Sequence, residues 1–314
     1  MLRVARFILG MAVVWLLAME EARAAELRRV GAFGENPGDL EMYEYVPDAL
    51  ADRPALVVAL HGCAQKASDY LTATGWKALA DRLRFIVVLP QQTWSNNPTR
   101  CFRWWASDSL TRGTGEPRSI AAMVHRTAAV HGIDRARVFV TGLSAGGAMS
   151  VVMTALYPEL FAGGAPIAGV PFACADGLMG AVSCMMSPPA LSPGDWGGKV
   201  RAAAKHPGPW PRLSIWQGSG DAVVAPESMD GILAQWTDLQ GLERSAAAEE
   251  KAGPLTRRLY RDGNGRALVE TNMIADMPHG VPIDPGNGCG EPRSHIIDAR
   301  VCSTERIAAF WGLR

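Results

Sequence analysis

Residues 138–149 read VFVTGLSAGGAM. A β-branched and aromatic run stops at a glycine, a lone serine follows, and small residues lead into a second apolar stretch. The first part reads as a strand and the second as the start of a helix, so Gly142-Leu143-Ser144-Ala145-Gly146 is a G-x-S-x-G turn set between them. A turn this tight leaves no room for a Cβ beside the serine, which accounts for the glycines. The hydroxyl is then held out on a corner, over a helix N-terminus that favours developing negative charge. Glycines needed only for turn geometry would look the same locally, and the rest of the chain decides between the two readings.

Working outward, LRRVGAF (27–33) and LEMYEYVPD (40–48) read as an opening pair of strands around the turn NPGD. PALVVALHGCAQ (54–65) and FIVVLPQQ (85–92) are continuous apolar runs typical of strands buried on both faces, the second stopped by Pro90. Helical spacing runs through TGWKALADRL (74–83), PRSIAAMVHRTAAVHGI (117–133, with Gly132 at its end), SAGGAMSVVMTALYP (144–158), ESMDGILAQWTDLQGL (227–242) and STERIAAFWGL (303–313). FAGGAPIAGVP (161–171) and PRLSIWQGSGD (211–221) return to strand, and LTRRLYRDGNGRALVETNMIADM (255–277) is a hairpin around Asp262-Gly263-Asn264-Gly265. Residues 94–115 are irregular, and 172–211, rich in Gly, Pro, Ser and Met, read as a long loop of the kind that often forms a lid. Strands and helices in alternation give an α/β fold, a mainly parallel central sheet with helices on both faces, as one domain over 25–314.

The chain has 314 residues, 48% apolar and 20% charged, with 31 Lys+Arg balanced by 31 Asp+Glu. That balance is globular, and it gives no field for nucleic acid or an anionic membrane. Residues 1–24 have the order of a secretory signal: Arg3 and Arg6, an apolar centre from Phe7 to Met19, then Ala22-Arg23-Ala24. The apolar run is too short for the roughly 20 residues of a spanning helix. Cleavage after Ala24 or Ala25 releases a secreted protein, extracellular or periplasmic, without a stable membrane partner. Six cysteines, an even count, read as disulfides in an exported chain. Of the 15 full pairings possible, the short loops favour Cys174–Cys184 and Cys289–Cys302, which leaves Cys63–Cys101. The cysteine spacings match no zinc pattern, and neither metal nor cofactor is expected.

In such a sheet functional groups gather at the carboxyl ends of strands. Ser144 is one. His61-Gly62-Cys63 follows another, and the N–H of Cys63 with that of Ala145 can hold an oxyanion. His61 itself reads as a histidine that shapes the loop. Asp221, just past the strand of 211–218, suits a carboxylate that orients a histidine; Asp276 is the weaker rival. The order nucleophile, acid, base leaves His279 and His295. His279, in the Pro/Gly loop ADMPHGVP, is the base, and His295 in RSHIID an ordinary turn or strand residue. His125 and His131 belong to a helix. Trp104 and Trp105 are candidates to line a substrate pocket, Trp236 is packing, and Met179, Met185 and Met186 form a flexible apolar rim.

The segments ALHGCAQ, LPQQTWSNNPTRCFRWW, GLSAGGAM, PIAGVPF, IWQGSGDAVV and MPHGVP resemble the secreted poly(3-hydroxybutyrate) depolymerase family of esterases, with the related feruloyl and acetylxylan esterases. The resemblance covers roughly residues 28 to 313. It implies an α/β-hydrolase fold and a serine esterase with Ser144 as nucleophile, Asp221 as acid, His279 as base and an oxyanion loop at Cys63. Polymer-degrading members usually carry an added binding domain, whereas this sequence ends after its last helix. Weak adsorption to solid polyester is therefore expected, with small or oligomeric esters, such as hydroxybutyrate oligomers, as substrates. Feruloyl or acetylated cell-wall esters are the alternative. A lipase or peptidase on the same fold and a non-catalytic secreted binding protein are the rivals; the latter predicts loss of a triad residue, and all three candidates are present.

Overall fold

Alternate residues along the central strands join two separate apolar clusters, and this divides the molecule into layers. The structure is a computed structural model describing residues 25–313, so the leader expected over 1–24 lies outside the described residues. In chain order come β1 (Leu27–Val30), β2 (Glu41–Tyr45), β3 (Leu56–Leu60), α1 (Ala67–Ala73), α2 (Trp76–Leu83), β4 (Ile86–Gln91), α3 (Gly115–His131), β5 (Val138–Leu143), α4 (Ala145–Leu156) and β6 (Gly163–Ile167). Then follow α5 (Leu178–Met186), α6 (Pro193–Ala204), β7 (Arg212–Gly218), α7 (Glu227–Gln240), β8 (Ala248–Ala252), β9 (Leu255–Arg261), β10 (Ala267–Ile274), β11 (Val281–Ile283), β12 (Ile296–Asp298) and α8 (Ser303–Trp311).

Ten strands form one sheet in the order β1-β2-β4-β3-β5-β6-β7-β10-β9-β8. From β4 through β10 neighbouring strands are parallel, and antiparallel strands finish both edges. Leu56, Val58 and Leu60 of β3 pack with α3, α4, α6 and α7 on one face. Val57 and Ala59 pack with α1, α2 and α8 on the other. A central strand covered on both sides must be apolar at every position, which is why these runs show no alternation. This is an α/β-hydrolase-like sheet with helices on both faces.

Three disulfides join Cys63–Cys101, Cys174–Cys184 and Cys289–Cys302, the pairing that the short loops favour. Two local expectations fail. Pro90 does not end its strand: β4 stays in register with β2 through Met42↔Pro90 and Glu41↔Gln91. The ladder to β3 stops at Val58↔Val88, so the proline falls where the strand has a neighbour on one side only, and there a missing N–H is tolerated. Nor is 172–211 a long loop. It folds into α5 and α6, closed by the Cys174–Cys184 bridge and by the N-cap of Ser192, whose Oγ accepts from the N–H of Asp195 at 3.1 Å.

Candidate active site

Ser144 sits where β5 turns into α4, with φ 57° and ψ −118°. Positive φ on a residue with a Cβ is strained, and packing must hold it there. The packing is visible at the glycines on either side. A Cβ on Gly142 would stand 2.5 Å from the carbonyl carbon of Gly146 and 2.7 Å from the Leu60 oxygen. On Gly146 it would stand 2.6 Å from the oxygen of His61. Helix α4 therefore starts in direct backbone contact with the end of β3, and only hydrogen fits at these two positions. The Ser144 N–H donates to Ile167 O at 2.9 Å at the end of β6, which fixes the corner to the neighbouring strand. The Ser144 hydroxyl makes no hydrogen bond among the described residues.

The backbone donors around the serine can be counted one by one. Gly62 N–H donates to Gln65 Oε1 (2.8 Å), Ala64 N–H to Thr99 O (2.9 Å) and Gln65 N–H to Gly62 O (3.2 Å). Between them, the N–H of Cys63 meets no acceptor among the described residues. Nor does that of Ala145, a first-turn N–H of α4. The Cys63 group is aimed by its own peptide plane. His61 Nε2 accepts the N–H of Gln92 at 3.1 Å, so the ring hydrogen is on Nδ1 and donates to Gly62 O at 2.6 Å. In a trans peptide the C=O and the next N–H point in opposite directions. Clamping the Gly62 carbonyl from two sides thus turns the Cys63 N–H the other way. Burial pushes the His61 imidazole down to about 4, a trend the Gly62 hydrogen bond opposes and nearby Arg100 reinforces. It is a neutral, buried structural group.

Asp221 and His279 meet beyond the ends of the adjacent strands β7 and β10. His279 Nδ1 lies 2.7 Å from Asp221 Oδ2, so the ring donates from Nδ1 and leaves the Nε2 lone pair free. The other carboxylate oxygen accepts the N–H groups of Val223 (2.8 Å) and Val224 (2.9 Å), and Gln217 Nε2 donates to Oδ2 at 3.1 Å. Burial alone would push the Asp221 carboxyl up; the hydrogen bonds from His279, Val224 and Val223 outweigh it and hold the group below its ordinary value. Asp276, the rival, is exposed and makes no hydrogen bond with His279 among the described residues.

His295 lies in a turn, as the sequence reads it. It is not remote from the site: its ring centroid stands 5.6 Å from that of His279, and its Nδ1 is 3.2 Å from the His279 carbonyl. Gln65 Nε2 donates to Ser294 O at 3.3 Å, so the 293–296 turn bridges the Gly62–Gln65 loop and His279. Nothing local in RSHIID signals this, because the contact is made across more than 200 residues of chain. Trp104 is buried in the core and packs edge-on against half-buried Trp105, at 5.3 Å between centroids. The Cys63–Cys101 bridge ties their segment to the loop that carries Cys63.

Residues 40–259 match the family model described as esterase PHB depolymerase. The chain is 42% identical over 302 residues to poly(3-hydroxyalkanoate) depolymerase C of Paucimonas lemoignei, covering 95% of this chain and 73% of that one. It is 35% identical over 288 residues to feruloyl esterase B of Talaromyces funiculosus, covering 88% and 78%. Among solved structures it resembles acetyl xylan esterase from Aspergillus awamori, with TM-score 0.78, 26% identity, and coverage of 92% of this chain and 100% of the other.

Proposed function

The chain belongs to the PHB depolymerase esterase family and is a carboxylic ester hydrolase; from that premise we propose that it is a secreted serine esterase acting through an acyl-enzyme intermediate on hydroxyalkanoate esters of oligomer size. Ser144 Oγ attacks the ester carbonyl carbon while its proton passes to His279 Nε2. The carbonyl oxygen gains negative charge between the N–H groups of Cys63 and Ala145, donors worth roughly 3 kcal/mol each in such a transition state. Asp221 stabilises the imidazolium without taking its proton. Collapse breaks the bond to the alcohol oxygen, which takes the proton from His279. Water then repeats the sequence and releases the acid.

The observation that supports this reading is the 2.7 Å Asp221–His279 pair, which lies beyond the ends of β7 and β10 in the same sheet whose strand β5 ends at Ser144. Trp105, held edge-on by core residue Trp104, is the member of that pair proposed to meet the substrate. The three disulfides fit an oxidising compartment, and the basic, apolar, small-residue order of residues 1–24 supports export with cleavage after Ala24 or Ala25. Similarity to feruloyl esterase B and acetyl xylan esterase favours a second reading, an esterase of cell-wall esters. The test is acid release from hydroxybutyrate oligomers, methyl ferulate, acetylated xylan and p-nitrophenyl butyrate, with Ser144→Ala as control. Preference for the oligomers, abolished in the variant, supports the first reading; preference for ferulate or xylan acetate selects the second. Turnover that survives Ser144→Ala sinks the proposed nucleophile.

A further inference from the structure

Among the described residues eight large apolar side chains are exposed, and six of them are Leu178, Met179, Val182, Met186, Leu191 and Val223. Single exposed apolar residues are ordinary on a soluble protein, but a cluster is not. Four lie on α5, and at 100° per residue they fall within one arc of roughly 100°. Met179 is 79% exposed, Met186 71% and Leu178 62%, while Ala181 and Cys184 on the other side of the helix are buried. The helix is therefore amphipathic in reverse: a narrow seam of small residues faces the protein and the large apolar ones face water. From Gly177 to Gly194 the chain carries no charged residue, between Asp176 and Asp195.

This surface is held in place. The Cys174–Cys184 bridge anchors α5 in its last turn. Ala225 N–H donates to Met185 O at 2.7 Å, which joins the end of α5 to the turn that carries the catalytic acid. Val223, 47% exposed, lies in that turn, and its own N–H is bonded to Asp221 Oδ1 at 2.8 Å. The apolar patch is thus continuous with the acid loop of the site.

We propose that α5 and Val223 form a docking face for the uncharged, apolar surface of a water-insoluble aliphatic polyester, a role that rests on the esterase reading above. The chemistry selects this occupant. A face without charge over 18 residues offers no ion pair to an anionic or cationic ligand, and its exposed side chains are mainly large and apolar, which suits a ligand with little need of hydrogen bonds. Methionine adapts its shape to a surface with no fixed relief. A plane laid on this patch also abuts the acid loop, which brings its ester bonds to the site. Adsorption to solid polyester is then a property of the catalytic domain itself, against the weak adsorption expected from the sequence.

The test uses the full mature chain in a Ser144→Ala background, so that binding is measured without hydrolysis. Adsorption to films of poly(3-hydroxybutyrate) is compared with that of the same chain carrying Leu178→Ser, Met179→Ser and Met186→Ser, all solvent-exposed positions. The expected result is at least a tenfold loss of adsorption. In the Ser144 background, p-nitrophenyl butyrate turnover should stay within about twofold while film erosion falls in step with adsorption. Unchanged adsorption overturns the proposal, as does equal loss of soluble-ester turnover, which would make α5 part of the acyl pocket. A concentration-dependent dimer that the triple variant abolishes, with adsorption unaltered, assigns the face to a second copy of the chain instead. Failure of the esterase reading is recognised separately: the Ser144 protein would then leave p-nitrophenyl butyrate untouched whether or not it binds the film.

Discussion

His61→Ala tests whether the oxyanion loop is aimed by a buried neutral imidazole. The substitution removes the donor to Gly62 O and leaves the Gln92 N–H, now bonded to His61 Nε2 at 3.1 Å, without an acceptor in a buried place. An orphaned buried group costs about 1–3 kcal/mol, and the emptied ring volume adds a cavity term, for a total of about 3–4 kcal/mol. With unfolding entropy of about 2.1 cal/mol/K per residue over about 290 residues, that lowers Tm by roughly 5–7 °C. For catalysis, complete loss of one oxyanion donor costs about 10²–10³ in kcat. The N–H of Gln65 still holds the Gly62 carbonyl at 3.2 Å, so one of the two tethers survives and a fall of about 10–100-fold is expected. KM should stay within about twofold, since the donor acts in the transition state. The assay is p-nitrophenyl butyrate hydrolysis over about pH 5–9, beside a thermal melt. The basic form of His61 persists down to about pH 4, so the pH profile should keep its shape. His61→Asn, whose amide nitrogen replaces Nδ1 as a donor, should recover part of the rate. Full kcat in a folded His61→Ala protein refutes the clamp. Activity as low as that of Ser144→Ala, with the pH limb lost, would make His61 the base.

Asp221→Asn keeps an oxygen for the N–H groups of Val223 and Val224 but presents an amide to His279, which favours the wrong tautomer; kcat should fall by about 10⁴ with Tm little changed, measured on the same ester. The double variant Cys63→Ala/Cys101→Ala opens a loop of 38 residues and should lose about 4 kcal/mol of stability in the chain-entropy estimate, more than removal of either of the other two bridges, as urea midpoints will show. Burial pushes the Glu44 carboxyl up, but His131, Arg28 and Arg126 around it prevail and lower it to about 2 from 4.5. Because the folded value is the lower one, up to about 3 kcal/mol is present above pH 4.5 and is lost as pH falls toward 2. Glu44→Gln should flatten that acid limb in denaturation curves taken at several pH values.

The fold was legible where burial acts on both faces of a strand, because then every position must be apolar and no neighbour can disguise the pattern. The runs of β3 and of β4 up to Leu89 are of this kind. The corner at Ser144 was legible for a related reason: contacts as close as those of Gly142 and Gly146 leave no alternative residue. What escaped was decided at a distance. Helix α5 has Gly177 and Gly180 near its start and Pro188 and Pro189 just beyond it, so propensity reads a loop, while the Cys174–Cys184 bridge and the Met185 contact make it a helix. Pro90 reads as a stop because the sequence does not say that its strand has lost one neighbour. His295 is drawn to His279 by a turn whose other attachment, Gln65, lies near the opposite end of the chain.

Five of the side chains behind the site share one property. Gln65, Gln91, Gln92 and His61 support the oxyanion loop, and Gln217 joins Asp221 to the Val224 carbonyl. Each is uncharged. A charged support of either sign within hydrogen-bond reach would compete with Asp221 for the imidazolium or with the backbone N–H groups for the oxyanion, since field strength rises as water is excluded. Neutral amides fix geometry through direction alone and leave the developing charges to the residues that turn them over. On this argument the glutamine shell is a condition of the chemistry. Gln217→Glu should therefore impair turnover more than Gln217→Met, although glutamate is the closer match in shape: the added carboxylate beside Asp221 raises the basicity of the pair, whereas methionine removes a tether and adds no charge. Equal losses in the two variants, or a larger loss in Gln217→Met, would show that Gln217 matters for packing and not for its neutrality.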